Sequence, residues 1–268
     1  MAIDEQGFLS PDIQAWIKKH RTGNQAWFVL AENLNRVGHQ QLALVKVPAD
    51  NNQTFLMALL FMRGLSSFQG AVLMAERGMT REAGTLTRSC FETMFCLGAV
   101  HRDPTFVDAF IRDDASRRQK LARALLNLPD DSSGLESDLS KKLTRFLDDL
   151  EQSGVQIEPL RIQRAAQLAD LIDIYDTYYR SLSNDAAHPS IAALNHHVDA
   201  DKNGEIKALR WGPNATDVGH ALMVACTAAV YLIFWAKEIF HQDDIAAGLD
   251  RCWEEYRKLV GENADNKL

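Results

Sequence analysis

Sixteen consecutive residues, Ala221 to Ala236 (ALMVACTAAVYLIFWA), carry no charged side chain. A helix that is apolar on every side must be enclosed, either by other helices or by lipid. The run falls short of the roughly 20 residues that cross a bilayer, and Thr227 with the flanking His220 and Lys237 suits a protein interior. The segment from Thr216 to Phe240 is therefore expected to be a central core helix. Most of the remaining chain must then supply apolar faces to cover it, and 268 residues are enough to do so.

Those faces are present. Ser10-Pro11-Asp12 marks a helix start, with a serine able to cap and a proline at the first helical position. Apolar residues then recur at helical spacing through Ile13, Ile17, Trp27, Leu30 and Leu34, interrupted near Gly23 and Gly38. Residues 10–47 thus read as an N-terminal helical arm, and Pro48 to Gln53 as a loop. Phe55 to Arg77 is a long apolar helix ended by Gly78. Thr80 caps the next, which runs to about Arg102, where Asp103-Pro104 forces a break. Thr105 to Leu128 is a more charged helix. Pro129 to Gly134 is a loop, and Leu135 to Gln152 a peripheral helix. Gly154 to Pro159 separates it from a helix spanning about Ile162 to Ala187. A strand pair, Ala193 to Val198 and Ile206 to Trp211, is joined by Asp201-Lys202-Asn203-Gly204, whose Asn-Gly step signals a hairpin turn. Gly212-Pro213-Asn214 leads into the central helix, and a last amphipathic helix covers Asp243 to Leu259. The expected fold is all-α: one domain over residues 1–268, a single bundle of seven or eight helices with a small β-hairpin insertion at 193–211.

Charge and cysteine usage narrow the function. A formal charge of -7 gives no global attraction to nucleic acid. The basic run Arg112, Arg117, Arg118, Lys120 and Arg123 is interspersed with Asp113 and Asp114, and reads as a solvated helix face. Cys90, Cys96, Cys226 and Cys252 form no C-x-x-C pair and lie in apolar contexts. Met1 to Ser10 lacks the basic start and apolar run of a secretion signal. A cytoplasmic location is the expectation, with no membrane contact. A Gly-rich phosphate loop and a G-x-S-x-G elbow are both absent.

Two segments concentrate reactive groups. In the stretch Tyr178 to Ser190, residues Arg180, Asn184 and His188 are spaced four apart and share a helix face. Pro189 ends that helix, so His188 would sit at its negative dipole end, where the imidazolium is favoured. Tyr175, Tyr179 and Ser183 form an adjacent stripe. One helix earlier in the core, Arg88 and Glu92 are also four apart. If both face inward they need compensating partners, and Tyr179, Ser183, Ser190 and His188 are of the right type. Metal binding is a third arrangement: Asp185 with His188, and Glu238 with His241, each place a carboxylate and an imidazole three apart, and Glu92 could join them. His196 and His197 would alternate across a strand and face opposite ways.

The combination of Arg81-Glu82-Ala83, Arg88-Ser89-Cys90-Phe91-Glu92, Tyr179-Arg180-Ser181-Leu182-Ser183, His188-Pro189-Ser190 and Gly212-Pro213 resembles the bacterial family of unknown function numbered 5677. The resemblance covers residues 53–240. It implies a helical core in which the R-x-x-x-E helix and the Y-x-x-L-S…H-P-S segment pair, and it implies no particular reaction. A second resemblance, to the helical HEPN superfamily, rests on an Arg and a His on one helix; seven residues separate Arg180 from His188 here, a longer spacing than that superfamily's. It implies metal-independent ribonuclease chemistry with no cofactor, Arg180, Asn184 and His188 acting on a phosphodiester. The corresponding role is a bacterial toxin or phage-defence component. The alternative expectation is a non-catalytic ligand- or protein-binding module in which Arg88, Glu92, Tyr179, Ser183 and Ser190 form a supporting network. The expected partners are RNA or a small phosphate-bearing ligand, with self-association into a homo-oligomer.

Overall fold

The charge-free run becomes the middle of a longer helix, Val218–Phe240, of 23 residues. In the computed structural model, which describes residues 5–47, 51–128, 137–185 and 190–265, every side chain from Val224 to Val230 of this helix is buried. Two full turns without an exposed residue require neighbours on all sides. In chain order the helices are α1 (Ile13–Gly23), α2 (Gln25–Leu44), α3 (Asn52–Glu76), α4 (Thr80–Arg102), α5 (Val107–Leu126), α6 (Ser137–Gln152) and α7 (Ile162–Leu168). An interrupted helix over 172–185 is α8, Ile191–Asn195 is α9, the central helix is α10, and Ala246–Asp265 is α11. Helices α2, α3, α4 and α11 pack around α10, while α5 and α6 pair with each other away from it.

The length argument against a bilayer-crossing segment does not hold, because helical structure extends past both ends of the run. By length and composition α10 and the 25-residue α3 could each cross a membrane, although α10 is enclosed by protein. The helix count is also higher: eleven among the described residues, not seven or eight. The arm divides at Asn24, and the expected helix from Ile162 to Ala187 is broken at Asp170, which adopts a left-handed conformation (φ 58°). The Leu171 amide donates to the Ala166 carbonyl (2.9 Å) across that break, the closure usually seen with glycine. A short aspartate tolerates the left-handed region.

The hairpin is shorter than expected. Residues 191–195 form α9, capped by Ser190 Oγ accepting from the Ala193 amide (3.1 Å). The strands are β1 (Val198–Ala200) and β2 (Ile206–Leu209), antiparallel, with a register shift between Asp199 and Ala200. The turn forms as expected: Asp201 Oδ1 accepts from the amides of Asn203 (2.9 Å) and Glu205 (3.0 Å), and Gly204 has φ 83°.

Helices α4 and α10 set the geometry of the interior. Near their starts Gly84 and Ala221 face the same cavity, and near their ends Gly98 meets Trp235, so the two run parallel. Gly98 permits this approach. A Cβ there would lie 2.8 Å from Trp235 Nε1 and 2.8 Å from the Cβ of Ala169, which follows the end of α7. Gly78, at φ 74°, closes α3 and turns the chain into α4, and its carbonyl accepts from the Asn214 amide (3.0 Å). Thr80 does not cap α4 as expected. Met79 holds the cap position, with no side-chain hydrogen bond.

Gly98→Ala is expected to destabilise the chain by about 1–3 kcal/mol through overpacking, lowering the thermal unfolding midpoint by several degrees. Gly23→Ala, with nothing within 4 Å of the added Cβ, should leave the midpoint unchanged or slightly raised. Circular dichroism melts of both variants check the contrast.

Candidate functional site

Arg88 and Glu92 lie on the face of α4 that meets α8. That helix starts as Ile172–Ile174, passes through a π turn at Tyr175–Tyr179, and continues as Arg180–Asp185. A π turn holds one more residue than an α turn and recurs at functional or strained positions. Here it stacks Tyr175 on Tyr179 (centroids 4.9 Å apart) and packs both against Phe95, with Tyr178 stacked on Phe91.

The polar groups close into a ring. Arg88 Nε donates to Ser183 Oγ (3.0 Å), and Ser183 Oγ donates to the Tyr179 carbonyl (3.0 Å). Arg88 Nη2 donates to the Tyr179 hydroxyl (2.8 Å), which in turn donates to Glu92 Oε1 (2.8 Å). Arg88 Nη2 also pairs directly with Glu92 Oε1 at 2.8 Å. The Arg88 and Glu92 side chains retain 28% and 30% of their exposure, whereas Tyr179 retains 6%. Burial pushes the Tyr179 phenol up to about 12, and its hydrogen bond to Glu92 and that group's charge act in the same direction against Arg88. Tyr179 therefore stays protonated at neutral pH and serves as a donor. The sequence-based pairing of Arg88 and Glu92 with Tyr179 and Ser183 is what the structure contains.

Arg180 points to solvent and pairs with Asp176, one turn before it, at 3.2 Å. His188 and the segment 186–189 fall outside the described residues, as do the side chains of Asn184 and Asp185. Ser190 caps α9. Glu238 pairs with its neighbour Lys237 (2.9 Å), and His241 ends α10 in a left-handed conformation. Glu238 lies beside His101, roughly 13 Å along α4 from Glu92 at ~1.5 Å per residue. Among the described residues no group of three or more His, Cys, Asp or Glu side chains is placed to hold a metal ion. The four cysteines are buried, and desolvation raises the thiols of Cys90 and Cys96 to about 12, which makes them poor nucleophiles. Arg117 and Arg118 pair with Asp113 and Asp114 on an exposed face of α5.

A second polar cluster, at the starts of α4 and α10, went unread in the sequence. Arg81 Nη2 donates to His196 Nδ1 (3.3 Å), and His196 Nδ1 is 3.8 Å from Asp217 Oδ2. Asn214 donates to Asp217 Oδ2 (2.8 Å), while its own Oδ1 accepts from the Thr216 amide (2.8 Å). Desolvation lowers the His196 pKa, Arg81 reinforces that, and Asp217 opposes it. His197 turns away to the Arg210 carbonyl (3.1 Å). The Asn214-Ala-Thr-Asp217 turn was the available signal, because an asparagine before a helix start commonly binds the amide two residues on.

Tyr179→Phe removes the hydroxyl that bridges Arg88 and Glu92, and is expected to cost about 1.5–3 kcal/mol, the range for hydrogen bonds to charged groups. The phenol's folded pKa lies above its usual value of 10.0, so its contribution is complete below pH 10 and is lost as pH rises toward about 12. Urea unfolding between pH 8 and 11.5 should show the wild type losing stability over that window more steeply than Tyr179→Phe.

Searches of curated proteins and of solved structures return no match to this chain. A family model described as a family of unknown function, DUF5677, matches residues 54–206, more than half of the chain, and runs from α3 to the first residue of β2, taking in both halves of the Arg88 ring. The chain belongs to the DUF5677 family.

Proposed function

We propose that this chain is a non-catalytic helical binding module in which Arg88, Glu92, Tyr179 and Ser183 lock α8 onto the core. The observation that carries this reading is the closed ring: Arg88 Nε and Nη2, the Tyr179 hydroxyl and the Ser183 hydroxyl all direct their hydrogens at one another or at Glu92. A catalytic arginine or general acid presents its donors to a substrate instead. Arg180, the cation that ribonuclease chemistry would use, is held in a solvent-exposed pair with Asp176.

A binding role is supported from another direction. Among the described residues, half of the six buried side-chain polar atoms that lack a partner belong to Thr80, Arg81 and Thr87. All three line one cavity at the starts of α4 and α10. A buried polar atom left without a partner in a native structure calls for an explanation, and a bound group supplies one. The cavity lies beside the lock, and the lock holds one wall of it through Ser181 and Leu182.

Incubation of the purified chain with single-stranded RNA, with and without a chelator, is expected to yield no cleavage product. Ser183→Ala should lower stability by about 1–3 kcal/mol without altering that outcome. RNA cleavage by the wild type that disappears in His188→Ala would overturn the reading in favour of a metal-independent ribonuclease.

A further inference from the structure

We infer that the cavity between the first turns of α4 and α10 is a phosphate site; this deepens the binding reading and rests on it. Its walls include Thr80, Arg81 and Thr87 from α4, Ser181 from α8, and Asp217 and His220 from the start of α10. The cavity volume is about 70 Å³, several times the roughly 10–15 Å³ that one water needs. A phosphate group fits, and a nucleobase or sugar would have to remain outside.

Three independent features select an anion. The parallel arrangement of α4 and α10 places two helix N-termini side by side, each carrying about half a positive charge. Neither Met79 nor Asp217 caps its helix with a side-chain hydrogen bond, so the amides of both first turns lack the usual side-chain acceptor. Arg81 supplies a full charge. Its Nη2 is anchored on His196 Nδ1 (3.3 Å), while its buried Nε has no partner among the described residues. The hydroxyls of Thr80 and Thr87 are likewise unpartnered, on residues only 8% and 1% exposed. A threonine inside a helix ordinarily returns its hydroxyl to the carbonyl four residues back, as Thr93 and Thr227 do here. Thr87 does not, which leaves it available to a bound group.

Asp217 decides which anion. Its carboxylate lines the same cavity and would repel an ion with acceptor oxygens only. Hydrogen phosphate and dihydrogen phosphate carry a P–OH that can donate to Asp217, whereas sulfate at neutral pH carries none. The site therefore distinguishes phosphate from sulfate by one proton, with Asn214 holding the Asp217 carboxylate in place.

The test is titration calorimetry and thermal shift on the full chain with inorganic phosphate, sulfate and a simple alkyl phosphomonoester at matched ionic strength. Saturable phosphate binding is expected, with sulfate weaker by at least about tenfold, and Asp217→Asn should narrow that gap. Arg81→Met should abolish the phosphate response. Thr87→Val keeps shape and removes an unpartnered hydroxyl, so it should fold at least as stably as wild type while weakening phosphate by about tenfold. Tighter binding of the monoester would assign the site to a phosphorylated small molecule, and equal or weaker binding to free phosphate. A response that is absent, equal for phosphate and sulfate, or unchanged in Thr87→Val overturns the inference. The absence of RNA cleavage would still stand by itself, so failure here leaves the non-catalytic reading separately testable.

Discussion

The parallel packing of α4 against α10 is the contact on which the rest of the structure depends. A helix with two consecutive fully buried turns cannot sit at a surface, and α10 satisfies that demand by lying against α2, α3, α4 and α11. Small residues make the approach close: Gly98 opposes Trp235, and Gly64 on α3 opposes Leu232. Because α4 and α10 run in the same direction, their two positive ends coincide. Antiparallel neighbours would have offset those dipoles internally. The polar chemistry of the chain collects at that end and along the outer face of α4.

Two polar clusters result, with different physical characters. Around Arg88 the donors and acceptors are matched, and a charged pair that retains nearly a third of its exposure gains a buried phenol as a bridge. Such an arrangement holds α8 in a defined register on α4, and the π turn at Tyr175–Tyr179 is the local distortion that accompanies it. Around Arg81 the groups are unmatched: three buried polar atoms lack a partner among the described residues. The first arrangement is that of a completed structural joint; the second is the one proposed to take a bound group. Their proximity means that the joint positions one wall of that cavity, through Ser181 and Leu182.

Much of this was legible from sequence where the signal was local. Gly78, Asp103-Pro104 and Asn203-Gly204 each act through their own φ and ψ preferences, and the chain turns at each. The pairing of Arg88 and Glu92 with Tyr179 and Ser183 was also legible, because charged groups on an apolar helix need partners and the later stripe had the right groups at the right spacing. The break at Asp170 was not, since an aspartate there does the work of a glycine. The π turn leaves no mark in a pattern of 3.6-residue periodicity. The Arg81 cluster depends on residues brought together across 115 positions of chain, and only the relative direction of α4 and α10 creates it. Arg180 looked like a member of the site from its neighbours' spacing, but Asp176 one turn earlier offers it a nearer partner in solvent.

The central claim is that Arg88 and Tyr179 act together as a structural joint, and a double-mutant cycle measures that directly. Stability of wild type, Arg88→Met, Tyr179→Phe and the double variant, each from urea unfolding at pH 7, gives the coupling between the two side chains. A coupling of about 1–3 kcal/mol is predicted, within the range for residues sharing one buried network. Additive losses, with no coupling, would contradict the account.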